Sequence, residues 1–164
     1  MLALLLLLPA CRHVERADGD GAKEILTRER ASAMVRSLFA SYGVESPGLN
    51  ANDLGAGTIG DAALYFEYGP GEKSLICSAL VYKFHDDPRP GVLDAFYAEE
   101  STTSTGGGHL VYEDASKGLY LDRIYKSSRP DSTFRADMEE LARAGVMWGN
   151  DVLPGVAEKV FHPK

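Results

Sequence analysis

Chemistry by side chains needs groups that can converge, and this chain offers few. His85-Asp86-Asp87 sets an imidazole beside two carboxylates, a mixed set of the kind that ligates divalent cations. Adjacent side chains on a strand point to opposite faces, so three neighbouring ligands meet only if they lie on a loop. Pro88 and Pro90 instead mark a strand-to-helix turn with solvated acids. His109 and Glu113 share one face of a strand pattern with Val111, which reads as an exposed polar face. Neither group has the ligand spacing of known zinc or calcium sites, so no metal is expected. A nucleophile needs a base within hydrogen-bond reach and donors for an oxyanion. Cys77 lies inside the most apolar stretch, where burial raises a thiol's pKa and leaves it inert. The serines fall in loops without a G-x-S-x-G frame. Gly106-Gly107-Gly108 opens a strand, not the helix of a phosphate loop. No catalytic residue and no cofactor is expected, and the chain is read as not an enzyme.

The tyrosines are more informative. Of eight, Tyr65, Tyr68, Tyr82, Tyr97, Tyr112, Tyr120 and Tyr125 fall on strand or short-helix patterns. Tyrosine is enriched where a surface is partly apolar and partly wet, as at protein interfaces. It is also a good strand former that sits half-buried in a sheet. Tyr120 and Tyr125 lie on opposite sides of one strand, so at least one is off the core.

The elements that would position these groups follow from periodicity. A helical pattern begins at Lys23, carried by Met34, Val35, Leu38, Phe39 and Tyr42 and stopped by Gly43. Residues 44–60 read as loop, with one short strand near Thr58-Ile59. Asp61 to Tyr68 alternates, with Leu64, Phe66 and Tyr68 on one side. Ser74 to Phe84 is nearly continuously apolar, the pattern of a central strand covered on both faces. Pro90 suits the first turn of a short helix with Val92, Leu93 and Phe96 on its apolar face. Ser101 to Gly108 is a loop of small residues, and His109–Glu113 with Leu119–Lys126 forms a hairpin. Asp131 or Ser132 caps a long last helix striped by Phe134, Met138, Leu141, Gly145 and Trp148, with a break or bend at Gly149-Asn150.

The 164 residues, 45% hydrophobic and 25% charged, support a single domain that needs no disulfide staple, and two cysteines make no disulfide framework. The balance of 17 basic and 24 acidic side chains gives −7, which argues against nucleic acid as a partner. Residues 1–11, MLALLLLLPAC, are too short an apolar run to span a bilayer but have the length of a signal-peptide core. Leu8-Pro9-Ala10-Cys11 resembles a bacterial lipobox, which makes Cys11 the candidate lipidated residue and the only route to a membrane. Residues 12–22 are polar and read as a tether, leaving 23–164 as the single α+β domain.

The resulting order, α-β-β-β-α-β-β-α, resembles the type III secretion chaperones of the Tir-chaperone (CesT) family. Val35-Arg36-Ser37-Leu38-Phe39-Ala40-Ser41-Tyr42-Gly43 looks like the first helix and its closing glycine, and Asp61–Tyr68 with Ser74–Phe84 like the paired strands. Gly106-Gly107-Gly108 before His109–Glu113, then Gly118-Leu119-Tyr120-Leu121, is similar to the entry to the second hairpin, and Trp148 fits the last helix. The resemblance implies an antiparallel sheet with helices packed on one face, a homodimer, and a non-enzymatic module that binds an extended segment of a protein client. By that analogy Leu64, Phe66, Leu119 and Leu121 are candidates for a client surface. The residues also point to Leu93 and Tyr97, on the second face of the short helix, as a self-association surface. The alternative is a lipid-anchored cell-envelope lipoprotein of structural or assembly role on the same fold. Processing at Cys11 would place the protein in the cell envelope, and an unprocessed chain in the cytoplasm.

Overall fold

The computed structural model describes residues 25–161, so Cys11, the apolar leader and the tether lie outside the described residues. Helix α1 (Arg28–Ala40) starts where the Thr27 hydroxyl accepts from the Arg30 backbone N–H at 3.3 Å. It ends ahead of Gly43, whose φ of 71° is one that glycine adopts without strain. Strands β1 (Leu54–Ile59), β2 (Ala62–Gly69) and β3 (Ser74–Lys83) form a meander, and helix α2 (Val92–Glu100) leads to the hairpin of β4 (His109–Glu113) and β5 (Gly118–Tyr125). All neighbouring strands are antiparallel, in the order β1-β2-β3-β5-β4. Helix α3 (Asp131–Met147), a π-helical turn (Trp148–Val152) and helix α4 (Leu153–Phe161) close the chain. The fold is the expected α+β arrangement, with helices on one face of the sheet.

Four expectations need correction. β3 is central, but its burial alternates, because helices cover only the face of Leu75, Cys77, Ala79 and Val81 while Ile76, Ser78 and Leu80 stay partly exposed. Pro90 stands before α2, whose N-cap is Gly91 in the left-handed region at φ 82°. Asp131 does not cap α3; it lies in the first turn and accepts a hydrogen bond from the Ser37 hydroxyl of α1, joining the two helices. Of the break or bend expected at Gly149-Asn150, the break does not occur, because a single π turn spans these residues and α4 runs on.

The core lies between the sheet and α1 and α3. Trp148 is fully buried and donates its indole N–H to the Ser104 carbonyl at 2.8 Å, which ties the loop before β4 to the end of α3. Phe39 and Phe66 meet edge-to-face at 5.9 Å. Gly55 and Gly57 occupy the core-facing positions of β1, and a Cβ on Gly57 would occupy the volume of the Phe39 ring. Arg123 of β5 lies on the helix side, where it pairs with Asp137 of α3 at 2.9 Å and donates to the Gly106 carbonyl at 3.1 Å. Tyr125 donates to the same Asp137 at 2.9 Å. This network holds the glycine loop so close to α3 that a Cβ on Gly106 would stand 2.7 Å from the Glu140 carbonyl oxygen.

Candidate protein-binding face

With one face of the sheet covered, the opposite face carries whatever the alternation sends outward. Leu64 and Phe66 inward put Tyr65 and Glu67 outward on β2, and Leu119 and Leu121 inward put Tyr120 and Asp122 outward on β5. The register then aligns Ala56, Tyr65, Ser78, Asp122 and His109 in one row across all five strands. Leu80, Tyr120 and Val111 fall in the next row, and Glu67, Ile76 and Ile124 on the other side. Leu54 of β1 and Val111 of β4, on the two edge strands, line one trough of about 570 Å³, which Ser46, Pro47 and Asn50 of the loop before β1 also wall.

Tyr65 and Tyr120 stand edge-to-face at 6.0 Å within the trough. Tyr120 is fixed at its far end, 3.1 Å from the Ser116 hydroxyl. Three carboxylates share the lining, those of Glu67, Glu113 and Asp122. One oxygen of Asp122 is buried and has no hydrogen-bond partner among the described residues. Burial, with the charges of Glu113 and Glu67, raises the Asp122 pKa above the usual carboxylate value, partly opposed by a hydrogen bond from Ser78. Among the described residues no lysine or arginine lines the trough.

A second, smaller groove of about 280 Å³ lies between α2, α4 and the end of β3, with Tyr82, Phe84, Phe96 and Phe161 among its walls. The Arg89 guanidinium sits over the Phe161 ring at 5.2 Å.

The residues singled out from sequence divide sharply. Leu64, Phe66, Leu119 and Leu121 are at most 1% exposed beneath the helices, so they build the core. Leu93 is half-buried against the core and Tyr97 is 40% exposed, both on α2, whose Val92 and Phe96 face inward. His85 lies 3.0 Å from Asp86, both well exposed, while Asp87 pairs with Lys117. His109 approaches Glu100 of α2 at 3.6 Å. No group of three or more His, Cys, Asp or Glu side chains among the described residues is placed to hold a metal ion. Cys77 is fully buried, and burial raises its pKa well above that of a free thiol. Tyr125 is buried and Tyr120 lines the trough, on opposite sides of β5. Asp122 and Glu67, which sequence reasoning passed over, were findable from phase alone, each being one residue removed from an inward leucine or phenylalanine.

No protein-family model and no curated protein sequence matches the chain. Solved structures do. A chain of the ExsC–ExsE complex aligns with a TM-score of 0.63 at 10% identity, over 77% of this chain and 96% of that one. A chain of the HopA1–SchA chaperone–effector complex aligns at 0.56 and 13% identity, over 74% and 94%. The heterodimeric ExoU–SpcU complex from the type III secretion system of Pseudomonas aeruginosa gives 0.50 and 14% identity, over 70% and 94%. At such identities the likeness is one of fold, and the fold is that of a type III secretion chaperone.

Proposed function

We propose that the protein is a non-enzymatic, chaperone-like subunit that binds an extended segment of a client protein and self-associates as a homodimer. The observation that carries this reading is the fold match over 96% of a chain drawn from a two-protein complex. The open sheet face supports it, because a half-apolar, tyrosine-walled trough is the kind of surface a protein segment covers. The α2 face bearing Leu93 and Tyr97 is the self-association surface of this reading.

The test is co-expression of the full chain with the product of each neighbouring gene, followed by size-exclusion chromatography with light scattering. A stoichiometric complex, with the partner segment protected from proteolysis over an extended stretch, is the expected result. A chain that elutes alone beside every candidate overturns the reading.

A further inference from the structure

We infer that α4 is a hinged latch, which swings away from α2 as a unit about the π turn, with Trp148 as the fixed point, and so uncovers the Val92 and Phe96 side of α2. This motion is built into the fold and is independent of the client-binding reading.

Packing changes abruptly along the C-terminal helices. Phe134, Met138, Leu141, Ala142, Ala144 and Gly145 of α3 are buried. Trp148 is held twice, by its hydrogen bond to the Ser104 carbonyl and by the Phe96 ring, whose centroid lies 6.5 Å away. Among the described residues beyond Trp148 only Val156 is buried, and Phe161 is 44% exposed. Two further contacts hold α4 at the surface, the Lys159–Glu99 ion pair and the Arg89 guanidinium over the Phe161 ring. Exposed contacts of these kinds stabilise little. The groove of about 280 Å³ between α4, α2 and the end of β3 shows that the helix does not close fully on its neighbours.

The joint between the two regions is weak for three separate reasons. The Leu153 N–H reaches the Trp148 carbonyl, five residues back, so the backbone is wound more loosely than in an α-helix. Pro154 has no N–H, which removes one bond from the ladder where α4 begins. Gly155 then adds a helical glycine that packing does not require. A Cβ there would meet nothing within 4 Å, whereas one on Gly149 would come within 2.9 Å of the Val81 carbonyl oxygen. A glycine in open space weakens a helix and gives nothing back in close approach. Loose winding, a missing bond and an unneeded glycine thus coincide between a firmly packed helix and a lightly held one. A joint of this composition gives way before either helix does.

Native-state hydrogen exchange on the full chain tests the latch. The amides of residues 157–161 should share one level of protection, about a hundredfold or more below that of residues 138–146 in α3, with a step at the π turn. Gly155→Ala, whose Cβ has room, should raise the protection of α4 about fivefold and leave α3 unchanged. Val156→Ala should lower it. A second readout follows the surface that opening uncovers. Val92→Cys in a Cys11→Ser background should react with a thiol reagent only through the open state, and about fivefold more slowly once Gly155→Ala is added. Protection of α4 equal to that of α3 overturns the latch. So does a smooth gradient toward Phe161 without a step, which is the fraying of a chain end, and so does a Val92→Cys rate indifferent to Gly155→Ala.

Discussion

Asp122 stands for the residues whose cost to stability is visible in the structure. Its folded pKa lies above the ordinary 3.8, chiefly through burial, so the folded protein holds the proton more tightly than the unfolded chain does. The stabilisation from the protonated form is complete below pH 3.8 and is lost as pH rises through the folded value, so at neutral pH the ionised group is a net cost. Asp122→Asn should accordingly melt at a higher temperature than wild type at pH 7, with the gap closing as the pH is brought below 4; calorimetry across that range reads it. Tyrosines act at the other end of the scale. Burial first, and hydrogen bonding to Asp137 second, raise the Tyr125 phenol, and burial with a hydrogen bond to Glu139 pushes Tyr42 up to about 12. An unfolded tyrosine ionises near pH 10, so the stability these protonated phenols contribute is full below pH 10 and fades as pH climbs toward the folded values. Denaturant titrations should show stability falling above pH 10, and Tyr125→Phe should flatten that fall while costing about 1.5–3 kcal/mol at pH 7, the worth of a hydrogen bond to a charged acceptor.

Element by element, β1 shows how a weak strand is held. Leu54–Ile59 carries two glycines, which lower strand stability on their own, yet Gly57 is what allows the Phe39 ring of α1 to lie on the sheet. Gly57→Ala should destabilise by about 1–3 kcal/mol, the usual cost of overpacking, despite alanine's better backbone entropy. Phe39→Leu in the same background should recover part of the loss, as measured by urea midpoints. Periodicity of two or 3.6 made α1, β2 and α3 legible, because each buries one face and writes that face into its sequence, while β3 was legible only as an apolar run, which hid that one of its faces is open. β1 was legible only as a fragment near Thr58-Ile59, since Leu-Gly-Ala-Gly has almost no alternation to read. The π turn was legible only as a break or bend, because glycine and asparagine signal either, and tertiary packing keeps the helix going: Gly149 lies where a Cβ would come within 2.9 Å of the Val81 carbonyl oxygen. The site was the least legible part. Outward phase could be inferred one strand at a time, but the row joining Ala56, Tyr65, Ser78, Asp122 and His109 depends on register, and no single strand carries that.

Taken as a whole, the molecule has one buried and one open sheet face, plus an α2 surface with Tyr97 exposed. Self-association through α2 should appear in analytical ultracentrifugation as a concentration-dependent dimer that Leu93→Asp/Tyr97→Asp dissociates. A wild type monomeric at every concentration removes the dimer, and a dimer indifferent to the double substitution moves the interface elsewhere. The strand order has a further effect, on the growing chain. Because β5 pairs with β3 across the intervening α2 and β4, one edge of β3 waits for residues 118–125 to be made. At about 5–20 residues per second, the stretch from Lys83 to Tyr125 takes the ribosome roughly 2–8 seconds. Throughout that interval the most apolar strand of the nascent protein presents an unpaired edge, so the order in which the strands are synthesised makes β3 the place where a stalled or truncated product would aggregate.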